Sequence, residues 1–479
     1  VPEASCPRMS GAVRHAPSEQ EARHPAGLPS GVPRDASLVI DPPGPEWPAL
    51  LARRREHRLT ASLRDQLGLP VGVPIVMTGH QPTLWHAGIL AKYLAAHAAS
   101  RRLGASPAWL VVDQDEVGAI EVRCPVLDAG RVRVARAVLG APDDAEPPAC
   151  HRPPIADLGP LGALRAKQPD LGLAAGLDRL AAALRGARGA SSLAEQISDA
   201  LEALMEPLIP RAPTILATVL AQTNAFAELA DRMFADPERC VGAYNAACAA
   251  FPDAGTRPLA IASGRIELPL WRLEPGAPRR RVFAGAPRPP VESLAPRALL
   301  MTGLLRLAAC DLFIHGTGGA RYDRVTDRWF SRWLGEDTLA PTTMVTATLL
   351  LAVEGAAPDD PAAVDAARWR AHAAAHNPAL VSDSAAGDKA RLLAEIDAAP
   401  RRSPDRARTY QRLHALLTAY RDRRADSLAD LDRRAHDLAD HARATRALLD
   451  RTYPFPLHPP GTLAALRDAV AAEFATLAT

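Results

Sequence analysis

The stretch Val73-Pro74-Ile75-Val76-Met77-Thr78-Gly79-His80-Gln81-Pro82 decides the fold. Its first half is a short apolar, β-branched run, the pattern of a strand buried on both faces. Its second half is polar and turn-forming. Beyond it, apolar residues recur at helical spacing from His86 to Arg102. After a break at Gly104-Ala105 comes Ala108-Trp109-Leu110-Val111-Val112, a second buried strand, which ends on Asp113-Gln114-Asp115. Strand, loop, helix and strand at this spacing predict a βαβ unit on a parallel sheet. Both polar motifs then fall at the carboxyl ends of their strands, the edge where open parallel sheets bind ligands.

A second crossing of the same kind lies far downstream. Leu312-Phe313-Ile314 runs into His315-Gly316-Thr317-Gly318-Gly319-Ala320-Arg321-Tyr322-Asp323, and a helix through Trp329 and Trp333 follows. The intervening chain alternates as a hairpin over residues 123–150, reads mostly helical from Pro160 to Phe251, and alternates again from Pro258 to Phe283. From Pro404 to Tyr453, apolar residues recur in steps of three and four, interrupted at Arg424; this predicts a long coiled-coil helix. Its stripe must pair with another helix of the chain or with a second copy, so a homodimer is one expectation and an intramolecular hairpin the other. The division that follows is an unstructured or loosely wrapped arm over 1–40 and the first half of an α/β core over 41–155. A mostly helical insertion with a small β element occupies 156–290, the second part of the core 291–350, and a helical region with the coiled coil 351–479.

Composition narrows the function classes. A chain of 479 residues is long enough for two or three structural units. No run approaches the roughly 18–20 apolar residues of a membrane span, and no apolar signal core stands near the start, which makes the cytoplasm the expected compartment. The net charge of +2 supplies no field for nucleic acid. Lysine occurs only at Lys92, Lys167 and Lys389, so arginine clusters such as Arg279-Arg280-Arg281 reflect a compositional skew toward arginine and read as solvated surface. The six cysteines are scattered without a C-x-x-C pair, which speaks against structural zinc and against a disulfide framework.

Three clusters could carry chemistry. Thr78-Gly79-His80-Gln81 precedes a helix, so backbone N–H groups and the helix dipole face the loop and make an anion site. His80 could bind phosphate or carry a proton near neutral pH; a helix-capping turn is the plain alternative. Lys92, on the following helix, is a compact ammonium in a chain that otherwise uses arginine. Asp113 and Asp115 flank Gln114; in an extended segment both carboxylates would share a side and could hold an amine or Mg²⁺, or raise one another's pKa for base work. Gly316, Gly318 and Gly319, with Tyr322 and Asp323, form a glycine-rich loop suited to cradling phosphate or carboxylate, although it is neither a Walker loop nor a dinucleotide fingerprint. Metal ligation by a His/Asp triad has no supporting spacing.

Together these loops resemble those of the bacillithiol biosynthesis cysteine-adding enzymes. That family has T-G-Q-Q after a strand, then a helix carrying a lysine, which Thr78-Gly79-His80-Gln81 and Lys92 resemble. Its next strand ends in D-H-D, where Asp113-Gln114-Asp115 stands, and its G-P-G-E-x-A-Y loop is similar to Gly316–Tyr322. The departures are His80 for glutamine, Gln114 for histidine and Gly319 for glutamate. The resemblance implies a Rossmann-like core, a coiled coil that joins a dimer, and an activity that attaches an amino acid to an amino-sugar conjugate through an amide.

On that resemblance the expected function is an amide-forming ligase acting on small molecules with ATP or another nucleotide. His80, Asp113 and Asp115 would be its catalytic residues. Thr78, Gly79, Gln81, Lys92, Gln114, Gly316, Gly318, Gly319, Tyr322 and Asp323 would bind nucleotide or substrate. The departures motivate a second expectation, a non-catalytic binding or scaffold protein that kept the sheet and dimerises through the coiled coil. A nucleotidyltransferase acting on another metabolite is a third.

Overall fold

Among the described residues, twelve strands organise the fold: β1 (Ser37–Asp41), β2 (Ile75–His80), β3 (Ser106–Val111), β4 (Ile120–Asp128), β5 (Arg131–Leu139), β6 (Thr214–Leu216), β7 (Ile261–Ala262), β8 (Arg265–Arg272), β9 (Arg280–Ala284), β10 (Leu294–Pro296), β11 (Leu312–His315) and β12 (Thr342–Thr348). A computed structural model describes residues 37–53, 56–128, 131–140, 146–168, 172–262, 264–335, 339–351 and 361–475. Six strands form the main sheet in the order β1-β12-β11-β2-β3-β6. All pairings in it are parallel except that of β1 with β12. Numbered along the chain, the five parallel strands lie in the order 3-2-1-4-5, so the direction of winding reverses between β2 and β11.

Alternation within the central strands explains the layering. Val76, Trp109, Leu312 and Ile314 enter one apolar core with the Ala87–Leu103 helix and the C-terminal Pro460–Ala472 helix. Ile75, Met77, Ala108, Leu110 and Phe313 enter the other, with the Asn224–Ala235, Pro237–Ala250 and Gly319–Leu334 helices. Both faces are therefore buried, which is why these strands read as continuous apolar runs. Thr78 serves this architecture: its hydroxyl donates to the Ile314 carbonyl at 2.9 Å, fastening β2 to β11 where the winding reverses.

The predicted βαβ unit is present, with the helix at Ala87–Leu103. Two sheet members differ from expectation. Residues 37–41, assigned to the arm or its border, form the edge strand β1; residues 1–36 of that arm lie outside the described residues. The insertion over 156–290 also donates β6, a three-residue strand beyond Pro213. The β4–β5 hairpin forms as expected, with Ile120 opposite Leu139. A four-stranded antiparallel sheet of β7 to β10 sits apart from the main sheet.

The expected single coiled-coil helix is two helices, Pro404–Arg423 and Ala425–Leu448. They break at Arg424, whose Nε donates to Asp383 Oδ2 at 2.7 Å. Helices Ala385–Ala398 and Pro361–Ala374 pack along the first and second of them respectively. Val364 meets Ala439 and Ala442, and Leu392 and Ile396 meet Leu413. Much of the apolar stripe is thus covered from within the chain, while Tyr410 stays exposed. The chain then returns to the core: Phe455 N donates to the Trp85 carbonyl at 2.7 Å, and Arg451 Nη1 donates to Thr348 Oγ1 at 3.2 Å. Among the described residues no helix is long and apolar enough to cross a membrane.

Candidate functional site

A cavity of about 620 Å³ opens at the carboxyl edge of the main sheet. The ends of β2, β3 and β11 form its floor, and Pro269 and Trp271 of β8 form part of its wall. Its size is within the range of about 300–1,000 Å³ usual for small-molecule sites, and it lies where β2 and β11 diverge, the position at which open α/β sheets bind ligands.

Gly79, His80, Gln81, Lys92, Gln114, Asp115, Gly316, Gly318, Gly319 and Tyr322 all line this cavity. The glycines have separate reasons. A Cβ on Gly79 would lie 2.5 Å from the Leu110 Cβ and 2.6 Å from its carbonyl oxygen, so the close approach of β3 excludes a side chain. A Cβ on Gly319 would lie 2.3 Å from Nδ1 of His315, whereas one on Gly318 would meet nothing within 4 Å. The glutamate expected at 319 from the resemblance therefore has no room: the His315 ring holds that space.

Three of the expected residues are employed elsewhere. Thr78 is buried and committed to Ile314. Asp113 accepts from the backbone N of Thr218 at 3.0 Å and from the Thr218 hydroxyl, bracing the Ala217–Leu220 turn after β6. Burial, only partly offset by those hydrogen bonds, raises its pKa to about 6. Asp115 instead accepts from Arg279 Nη1. The segment is a turn rather than extended, so the two carboxylates part and the expected pair does not form. Asp323 is buried against His315 and Arg306 and does not line the cavity.

His80 departs from the expected phosphate-binding cation. Burial and the neighbouring Lys92 lower its pKa to about 3, so the ring is neutral at physiological pH. Its Nδ1 lies 3.2 Å from the Gln81 carbonyl, which can only accept, so Nδ1 carries the proton. Lys92 is 4% exposed, and its Nζ donates to the Gly79 carbonyl at 2.7 Å. Burial alone lowers its pKa to about 7.

The lining divides into two neighbourhoods. On one side the Ala87–Leu103 helix begins, with His86 as its N-cap accepting from Gly88 N at 3.0 Å. Lys92 and Arg451 flank it, and the Gly316 backbone borders Lys92. The Gly319–Leu334 helix also begins at the cavity, so two helix N-termini face one space. On the other side stand Gln114, Asp115, Tyr322, Trp271, Arg279 and Arg297. The guanidinium carbons of Arg297 and Arg279 lie 4.1 and 4.6 Å from the Trp271 ring centroid. Arg279 is neutralised by Asp115 and Glu116, and Arg297 by Glu267 at 2.8 Å. Among the described residues Lys92, Arg257 and Arg451 line the cavity without a carboxylate partner, while Asp115 is its one acidic lining residue.

Gln114 shows what the second neighbourhood would accept. It is 2% exposed, and its Nε2 donates to the Pro296 carbonyl. A carbonyl can only accept, so the amide orientation is chemically fixed and Oε1 is the free end. That oxygen is buried without a hydrogen-bond partner. An unmet buried acceptor costs about 1–3 kcal/mol, which a donor on a ligand would recover.

His86, His315, Arg257, Arg297, Trp271, Thr346 and Arg451 were not singled out from the sequence, yet all line the cavity. His315 alone left a local signal, a polar residue closing an apolar strand. The others come from separate elements that only folding brings together. Among the described residues no cluster of three His, Cys, Asp or Glu side chains could hold a metal ion. Comparison with protein-family models found none that matches the chain, and comparison with curated proteins found no significant match.

Proposed function

We propose that the protein is a carbon–nitrogen ligase with a Rossmann-like core, which uses a nucleoside triphosphate such as ATP to activate a carboxyl group and passes the acyl group to a small-molecule amine. The observation that carries this reading is the division of one cavity into a cationic and an accepting side. Two helix N-termini, Lys92 and Arg451 suit a phosphate chain and the charge that develops on a leaving phosphate. The Gln114 Oε1 atom and Asp115 suit the hydrogens of an amine. The resemblance of the Thr78–Gln81, Asp113–Asp115 and Gly316–Tyr322 segments to the cysteine-adding enzymes supports the same reaction class. Holding both partners in one cavity supplies the proximity that amide formation needs.

Calorimetry with ATP, followed by incubation with ATP, amino acids and amino-sugar malate acceptors under mass spectrometry, tests the proposal. The expected result is nucleotide binding that weakens with salt, and a product equal in mass to the two substrates less water. Absence of both nucleotide binding and nucleotide consumption would overturn it.

A further inference from the structure

Among the described residues three imidazoles line the cavity, His80, His86 and His315, and of these only His315 has a carboxylate within 4 Å. His315 closes β11, and its Nε2 lies 2.5 Å from Asp323 Oδ2. Asp323 is 2% exposed and sits in the second turn of the helix that starts at Gly319. Behind it, Arg306 Nη1 lies 3.4 Å from the same oxygen; Arg306 is itself fixed by the Ala340 carbonyl at 2.8 Å and by Asp327 at 2.6 Å. The Phe313 ring, at 4.6 Å and tilted, and the Tyr322 ring, at 5.8 Å and edge-on, hold the plane of the imidazole.

The order of charges sets the tautomer. Burial raises the pKa of Asp323, but the His315 N–H facing it and the Arg306 guanidinium behind it outweigh that and leave the carboxyl below its ordinary value. An ionised carboxylate only accepts, so Nε2 bears the proton that faces it and Nδ1 keeps its lone pair. Nδ1 is the atom that a Cβ on Gly319 would strike. Absence of a side chain there leaves this nitrogen uncovered at the mouth of the glycine loop. The other two imidazoles are differently employed. His80 directs Nδ1 at the Gln81 carbonyl, and His86 spends Nδ1 as a helix cap.

We propose that His315 is the general base of this site and that Asp323 is its positioning residue. The assignment rests on the ligase reading for its substrate, though not for its geometry. As the acceptor nitrogen attacks the activated acyl carbon, the new C–N bond forms. The bond from that carbon to the phosphate oxygen breaks, its electron pair leaving on the phosphate that Lys92 and Arg451 face. The nitrogen's surplus proton passes to His315 Nδ1. The imidazolium so formed is stabilised by Asp323, the role a buried carboxylate plays behind a catalytic histidine.

The experiment has two arms, and the first needs no substrate. Heteronuclear NMR of histidine-labelled protein should show neutral His315 as the Nε2–H tautomer, with that bias lost in Asp323→Asn. Finding the Nδ1–H tautomer, or an imidazolium that persists into alkaline solution, would overturn the assignment. In the second arm, His315→Gln should lower kcat by roughly 10²–10⁴-fold with KM for ATP unchanged. Free imidazole should restore part of the turnover of His315→Ala. Wild-type turnover in His315→Gln would also overturn the proposal. If Asp323→Asn does not fold, the wild-type spectrum and the His315 variants still decide. If the wild-type chain neither binds nor consumes ATP, the ligase reading fails by itself, and the tautomer still decides the dyad.

Discussion

Gly319→Ala is the sharpest test of how the site is built. The new methyl would lie 2.3 Å from His315 Nδ1 and 2.8 Å from its Cγ, roughly 1 Å short of ordinary contact. The ring cannot yield easily: Asp323 holds its far side and the Phe313 and Tyr322 rings flank it. Overpacking of this kind costs about 1–3 kcal/mol. Against it stands the gain of about 0.4–1 kcal/mol from a less flexible unfolded chain. The balance is a loss of up to about 2.6 kcal/mol, about 1.3 kcal/mol at the middle of the two ranges. Gly318→Ala is the matched control, since a Cβ there meets nothing within 4 Å and the backbone is already right-handed helical. It should be neutral or slightly stabilising. Urea unfolding of both variants, followed by tryptophan fluorescence, measures the difference. Equal stability of the two, or a Gly319→Ala protein as stable as the wild type, would refute the claim that the His315 ring holds that space.

Lys92 makes a pH signature. Its folded pKa of about 7 lies below the 10.5 of a solvated lysine, so the unfolded chain binds more protons between those limits and the Lys92 contribution to stability rises with pH across them. Lys92→Met should flatten that rise by on the order of 5 kcal/mol; an unchanged slope in pH-dependent denaturation would count against a buried, depressed lysine. Asp311→Ala should destabilise by about 3–5 kcal/mol, because it leaves the Arg64 guanidinium, 1% exposed, without its carboxylate at 2.7 Å. A loss under about 1 kcal/mol in urea titration would show that the pair contributes little. Asp383→Ala should increase tryptic cleavage after Arg423 and Arg424 several-fold, since Asp383 joins both arginines across the helix break; an unaltered digestion pattern would contradict that role.

What could be read from the sequence follows the range over which each feature is determined. The βαβ unit was legible because Ile75–Met77 and Ala108–Val111 carry their burial as a local apolar run. β12 escaped because Thr342, Thr343, Thr346 and Thr348 mask a sheet strand as a polar segment, and β6 because three residues hold no period. The coiled-coil stripe was legible, but its partner was not: nothing local says that Pro361–Ala374 and Ala385–Ala398 fold back to cover it. In the site, the loops that end strands announced themselves. The expected Asp113 and Asp115 pair failed because alternation holds only in extended chain, and the backbone turns at that point. Lys92 and Arg451 reach the cavity from segments far apart along the chain, so no window of sequence holds the cationic side.

The bond between Arg451 and Thr348 bears on the chain's connectivity. Those residues stand at the two feet of the helical arm, one at the end of β12 and one just past the Ala425–Leu448 helix, and their side chains touch. Topologically, the arm is therefore a detour that leaves and re-enters the core at one doorstep. Its far turn, at the exposed Arg401 and at Arg402 with φ of 66°, joins Ala385–Ala398 to Pro404–Arg423. A surface tether or a fused reporter placed at that turn would lengthen only the detour, as insertions at exposed loop tips do. The route by which Arg451 arrives at the cavity rim would be unchanged.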